Sequence, residues 1–402
     1  MPAYDVIIRN GVLIDGTGAP PYKRDIGVIS DTIAKIGDLS SESAEEVIDA
    51  DGLFVAPGFI DIHNHSDSSI FIVPTADNYV TQGVTTVVVG NCGYSPAPLT
   101  ENNREFLEYS ERDLIKEVGG VPWRSFSEYL KHLEVLEKSL NIVTLVGHGT
   151  LRSAVLGVGE VRPSEKQLSE MSYLLDEAMR AGAFGMSSGL IYVPGMFCET
   201  RELIELTKVV SRYGGIYSTH IRNEGVGLLD AVIEAIQVGL ASGVSLEISH
   251  VKAAGSPAWG NVPKVLHVIE EYVRRGHDFS ADAYPYAASS TSLEALLPTW
   301  VREGGPEKMI ERLRNQDLLS ELRDFLRKHG IPEEGHTDWD KIRISYSEAH
   351  SEVLGKSIEE VSRMWGADPV LTIVKLLTDD KGLTSVVIHT MSEDDVTKAI
   401  SH

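Results

Sequence analysis

Four stretches of this chain run almost unbroken in apolar residues, and each stops at a residue able to ligate a metal ion. Leu53 to Ile62 leads into His63-Asn64-His65, Val84 to Val89 into Gly90-Asn91-Cys92, Ile216 to Thr219 into His220, and Leu246 to Ser249 into His250. Continuous rather than alternating apolar runs mark strands covered on both faces, the habit of parallel sheets. Runs before His148, Ser187 and Asp282 read the same way, so seven buried strands are expected, one short of a closed eight-stranded barrel. From about residue 140 the strands alternate with amphipathic helices that end in glycine, at Gly182, Gly214, Gly243 and Gly276. These glycines are 32, 29 and 33 residues apart, the size of one strand-plus-helix unit. The first of these helices opens on a Ser164/Gln167 capping box and carries Leu168, Met171, Leu175 and Met179 on one face.

The flanks follow other periods. Residues 1–52 alternate in short runs around Asn10-Gly11 and Ser30-Asp31, which predicts hairpins and a small β domain preceding a barrel at 53–402. Beyond Tyr286 the pattern loosens. Helices are expected at Gly304–Asn315, Leu318–Gly330 and near Ser357–Met364, with strand-like runs at Lys341–Tyr346 and Thr384–His389, and an insertion over the barrel mouth at about 300–385. A last helix starts at Ser392.

Composition narrows the class. With 42% apolar and 24% charged residues in 402, and a mean hydropathy near zero, the chain reads as globular. The expectation is a cytoplasmic protein, since the start lacks the basic and apolar segments of a secretory signal. A net charge of −23, from 36 basic and 59 acidic residues, repels phosphate backbones and anionic membranes, so neither nucleic acid nor membrane is an expected partner. Oligomeric state is left open. Two cysteines exclude a disulfide framework; Cys198 reads as a packed thiol and Cys92 as a ligand.

In His63-x-His65, alternate residues of an extended segment project to one side, so both imidazoles address one point. With Cys92, His220 and His250 at other strand ends, five candidate ligands gather where an α/β barrel builds its active site. Imidazole with thiolate suits zinc better than magnesium or calcium. His148 is open between a core role and a contact to substrate, and Arg222, Asn223 and Glu224 between substrate binding and support of His220.

The segments Pro57–Asp67, Gln82–Gly93, Gly147-His148-Gly149 and Asp282–Tyr286 resemble the N-acyl-D-amino-acid deacylases (D-aminoacylases) of the amidohydrolase superfamily, over the whole chain. Gly90-Asn91-Cys92-Gly93 is the segment that narrows the superfamily to that family. The resemblance implies an amidohydrolase-type (β/α) barrel hydrolysing N-acyl-D-amino acids or related acylated amines. It implies one tight zinc on Cys92, His220 and His250, a weaker second position at His63 and His65, and substrate-binding roles for Lys252, Tyr192, Tyr284 and Ser290. Cyclic amidases of the hydantoinase and dihydroorotase type, which use a carboxylated lysine on strand four, are the alternative; Ala183–Gly189 holds no lysine there. A non-catalytic zinc-binding subunit is a further alternative. The family's general acid/base aspartate sits in a Ser-Asp-Gly segment on strand eight, expected beyond His402. The resemblance therefore implies that strand eight and the C-terminal β strands lie outside this chain, supplied by a second polypeptide or lost by truncation, and that the isolated chain is inactive.

Overall fold

A computed structural model describes residues 2–332 and 334–402. Its central feature is a seven-stranded sheet whose spatial order follows the chain: Phe59–Asp61, Val84–Val89, Asn141–Gly147, Gly185–Gly189, Ile216–His220, Ser245–Ile248 and Phe279–Ala281. All seven strands expected from the apolar runs are present. The pairings from the third strand to the seventh are parallel and in step, with Leu145 opposite Gly185, Gly189 opposite His220, and Ile248 opposite Ala281. Equal register brings the C-terminal ends level, so the residues that follow each strand meet at one rim.

Helices between the strands are set by their caps. In Glu165–Ala181 the Ser164 hydroxyl accepts from the Gln167 N–H, the reciprocal bond is present, and Met171, Leu175 and Met179 are buried. Gly182 ends it at φ +119°, and Gly214, Gly243 and Gly276 also have positive φ, a backbone region that costs side-chain-bearing residues energy.

The chain divides into two compact units. One comprises the chain up to Ile60 with Asp77–Thr86. It holds a four-stranded sheet in the order Thr32–Gly37, Asp25–Ile29, Tyr4–Arg9, Ala44–Asp49, and a three-stranded one in the order Tyr22–Lys23, Val12–Leu13, Phe54–Val55. The Ser30-Asp31 hairpin forms, with Ile29 opposite Thr32. The Asn10-Gly11 hairpin does not. Tyr4–Arg9 pairs with Asp25–Ile29 and Ala44–Asp49, while Val12–Leu13 joins the other sheet. Asn10 takes φ +64° as a turn residue should, but its side chain is held by Asp49 Oδ1 at 2.8 Å, and the turn passes the chain between sheets.

The second unit, Asp61–Ala76 and Val87–His402, carries the rest of the barrel layer and a segment with its own core. In that segment Ser289–Ser292, Ser385–Ile388 and Ile342–Tyr346 form an antiparallel sheet, Ser385–Ile388 central. Leu296, Met309, Leu322, Ile344, Val361 and Leu376 are buried together beside it. The expected helices appear as Gly305–Leu313, Gln316–His329 and Ile358–Trp365, and the last as Glu393–Ile400. Pro369–Asp379 is an additional one, legible in retrospect from Asp368-Pro369, an N-cap followed by the proline favoured at the first helical position. At the last helix Asp395 does more than offset the dipole: its Oδ2 accepts from the Gly260 N–H at 2.7 Å.

Candidate metal centre

The strand ends deliver His63, His65, Cys92, His220 and His250 to one cavity of about 260 Å³. Two of them stand in strained backbone, Cys92 at φ +52° and His250 at φ +38°. Such conformations persist only where surrounding structure enforces them. Here the His250 N–H is held by Asp282 Oδ1 at 2.5 Å. Glycines permit the close packing behind Cys92: a Cβ on Gly189 would lie 1.9 Å from the Cys92 carbonyl oxygen.

Cys92 Sγ lies 3.3 Å from His63 Nε2 and 3.6 Å from His250 Nε2. Donors around a tetrahedral zinc, at about 2.3 Å for sulfur and about 2.0 Å for nitrogen, are separated by roughly 3.5 Å. The observed spacing matches. A second group shares His250: Glu224 Oε1 is 2.9 Å from His250 Nδ1, and Glu224 Oε2 is 3.4 Å from His220 Nε2. Both ring nitrogens of His220 are buried without a hydrogen-bond partner. Buried polar atoms are ordinarily satisfied, so an imidazole with two orphaned nitrogens fits a missing ligand-to-metal bond.

Second contacts orient these rings. Asp282 Oδ2 lies 3.1 Å from His63 Nδ1; a proton held there leaves the Nε2 lone pair facing Cys92. Burial pushes the His220 pKa well below its ordinary value, and the charges of His250, Lys252 and His63 oppose its protonation further, though Glu224 favours it. His65 is exposed toward the cavity, and crowding around its ring, with His63 and His250 beside it, brings its pKa down to about 4. Neutral imidazoles are the ligating form. Burial drives the Cys92 thiol well up, with Lys252 pulling the other way; a bound cation is what would stabilise its thiolate.

Lys252, Tyr192, Tyr284 and Ser290 all line the same cavity. The Lys252 ammonium is not solvated: it is 7% exposed, 2.5 Å from Glu224 Oε1 and 2.9 Å from His250 Nδ1. Burial alone would push its pKa down, but Glu224 and Tyr284 raise it on balance. Of the three residues left open after His220, only Glu224 reaches the site. Arg222 pairs with Glu234 at 2.9 Å, and Asn223 Oδ1 accepts from the N–H groups of Gly225 and Gly227. His148 is fully buried with Nε2 2.7 Å from Glu202 Oε1, a core arrangement shared with Arg152. Cys198 is buried beside it, the thiol pushed up to about 12 by burial. Glu224, left open between substrate binding and support of His220, stands against both histidine ligands, and Asp282 is the contributor whose role was not foreseen. Asp282 does end the seventh apolar run, which was its signal.

A family model described as amidohydrolase family matches residues 46–202. N-acyl-D-glutamate deacylase of Alcaligenes xylosoxydans xylosoxydans is 34% identical over 401 residues, 99% of this chain and 72% of that protein. The chain belongs to the D-aminoacylase family of amidohydrolases. D-aminoacylase of the same organism is 40% identical over 291 residues, 72% of this chain; the match spans 59% of the D-aminoacylase. Among solved structures, N-acyl-D-glutamate deacylase from Bordetella bronchiseptica, complexed with zinc and a phosphonate mimic of the tetrahedral intermediate, superimposes with TM-score 0.82 at 31% identity, over 99% of this chain and 74% of that one. A D-aminoacylase crystal structure gives TM-score 0.80 at 32% identity, again over 99% and 74%. The amidohydrolase-type α/β fold is that of this family. Among the described residues, no helix is long and apolar enough to cross a membrane.

Proposed function

We propose that the chain is a cytoplasmic, zinc-dependent hydrolase of N-acyl-D-amino acids. The observation that carries this is the cluster of Cys92, His63 and His250 with ligand-ligand spacing in the cavity, beside a His220 whose ring nitrogens have no hydrogen-bond partner. As in the family resembled, Cys92, His220 and His250 would hold the tight zinc and His63 with His65 a weaker second position; Cys92 Sγ lies 3.6 Å from His250 Nε2 and 3.3 Å from His63 Nε2. A bound zinc supplies Lewis acidity toward the scissile carbonyl and acidifies an adjacent water.

The remaining work belongs to side chains. Asp282 fixes the His63 ring, and Glu224 fixes His250 while neutralising Lys252. An ammonium has three N–H donors. With His250 Nε2 facing Cys92, its Nδ1–H donates to Glu224, so Lys252 donates to Glu224 and keeps N–H groups for the substrate's α-carboxylate, supported by the Tyr192, Tyr284 and Ser290 hydroxyls. Proton transfer to the leaving amine falls to the family's aspartate in Ser-Asp-Gly, a tripeptide not found in these 402 residues. The cyclic-amidase reading has no lysine on Gly185–Gly189 to bridge two metals.

The test combines metal analysis with turnover of N-acetyl-D-methionine and its L isomer, by the 402-residue chain alone and with an added polypeptide carrying Ser-Asp-Gly. Zinc near one per chain, with D-selective hydrolysis, is expected. A folded, supplemented chain without zinc overturns the metal assignment. D-selective turnover by the chain alone leaves the hydrolase standing and shows that another carboxylate transfers the proton.

A further inference from the structure

The cavity wall facing the strand-end histidines is built by the segment after Ser289, and it presents a carboxyl group whose Oε2 accepts no hydrogen bond and meets a histidine only at 3.9 Å. Glu334 lines the cavity together with His63, His220 and His250, and it is 4% exposed. Its Oε2 is buried without a hydrogen-bond partner. His336 Nδ1 stands 3.9 Å away, beyond hydrogen-bond reach, and is itself unpartnered. The other ordinary charges on the wall, Glu224 and Lys252, cancel each other at 2.5 Å. Glu334 is thus the unbalanced group.

Its position is enforced. Gly255, three residues past Lys252, has φ +82°, and a Cβ there would meet the Glu334 backbone oxygen at 3.0 Å and its Cα at 3.1 Å. The Gly255 N–H is also bound to the Thr390 carbonyl at 3.0 Å. The loop that leaves His250 and Lys252 is therefore packed directly under Glu334.

A buried carboxyl facing a ligand cavity without a partner favours whatever brings it a hydrogen-bond donor and opposes whatever brings a second carboxylate. In an N-acyl amino acid the α-carboxylate cannot be that partner, and a simple acyl group has no donor to offer. The side chain remains. We propose that Glu334 is a specificity-determining residue that selects side chains ending in an amide, hydroxyl or ammonium donor and rejects side-chain carboxylates. This rests on the deacylase reading above. It runs against what overall likeness would suggest, since relatives matched over 99% of this chain are N-acyl-D-glutamate and N-acyl-D-aspartate deacylases.

The experiment compares N-acetyl-D-glutamine with N-acetyl-D-glutamate, nearly isosteric and differing in charge and donors. Both are followed as kcat/KM with the zinc-loaded chain in its active assembly, and as equilibrium binding to the zinc-loaded chain by calorimetry. Well above pH 7, where the Glu334 carboxyl is ionised, a preference for glutamine of roughly 100-fold is expected, since like charges forced together in a site are strongly disfavoured. Glu334→Gln should shrink it at least tenfold, mainly through KM and affinity for the glutamate compound, while Glu334→Asp keeps the preference. Equal handling of the two compounds by the unmodified protein, or an unchanged ratio in Glu334→Gln, overturns the role of Glu334 alone. Absence of hydrolysis with any N-acyl-D-amino acid sinks the deacylase reading by itself. In that event calorimetry still decides on Glu334: discrimination that the Gln variant loses supports it, and no discrimination or no binding overturns it.

Discussion

Replacing Glu224 with glutamine should strand a buried ammonium. Lys252 and Glu224 are 7% and 5% exposed, 2.5 Å apart, and the carboxylate also faces the rings of His220 and His250. Burial pushes the Glu224 pKa up, but His220, Lys252 and His250 around it bring the balance well below its ordinary value. Removing one partner of such a pair costs about 3–5 kcal/mol, because the other charge stays buried without compensation. For 402 residues, at about 2.1 cal/mol/K of unfolding entropy each, that is a fall in Tm of roughly 4–6 °C. Calorimetry on chelator-treated protein isolates this from metal loss. Glu224→Gln and Lys252→Met should each lose several degrees, and the double variant should recover most of the loss, since with both partners neutral no buried charge is left unpaired. Singles within about 1 °C of the parent, or a double variant that is simply additive, would refute the claim that these charges depend on each other.

Three more outcomes follow from the same geometry. Cys92→Ala should abolish tightly bound zinc while His63→Ala keeps most of it, and Asp282→Asn should weaken only the second position, at His63 and His65, about 10- to 100-fold by freeing the His63 ring; metal titration reads all three. Gly189→Ala should be destabilising by several kcal/mol and should lower zinc affinity, because its Cβ would drive into the Cys92 carbonyl; thermal unfolding and metal titration that match the parent would exclude that packing. Burial, with Asp338 adding, raises the Glu334 carboxyl from about 4.5 to about 7, so the folded chain holds that proton more tightly than the unfolded one. Its contribution is full below about pH 4.5 and declines as pH rises through 7, by up to about 3 kcal/mol; Glu334→Gln should flatten that part of the stability–pH curve.

The barrel strands were legible because burial on both faces writes a local signal, an unbroken apolar run closed by a polar residue. Each run ends where the structure ends its strand, to within a residue or two, at His220 and Ile248 for example. Helix ends were legible for the same reason of locality: the Ser164 and Ser357 capping boxes and the terminal glycines act within four residues. The Asn10-Gly11 error shows the limit. A two-residue turn fixes φ, but the partner of Tyr4–Arg9 is chosen by strands around residues 25 and 44, which no local pattern names.

The same distinction explains which parts of the site were hidden. Ligand candidates announce themselves by type at strand ends, yet their partners are set by tertiary contacts: Asp282 reaches His63 across 219 positions and Lys252 reaches Glu224 across 28. The resemblance implied a substrate-binding role for Lys252; in three dimensions its ammonium is buried and paired with Glu224. Glu334 was the reverse case. Nothing in Ile331-Pro332-Glu333-Glu334 distinguishes it from a solvated loop charge, and only the close approach of Gly255 turns it into a buried cavity wall. A chain with 59 acidic residues can therefore show one carboxylate that matters to substrate choice only once packing has removed its water.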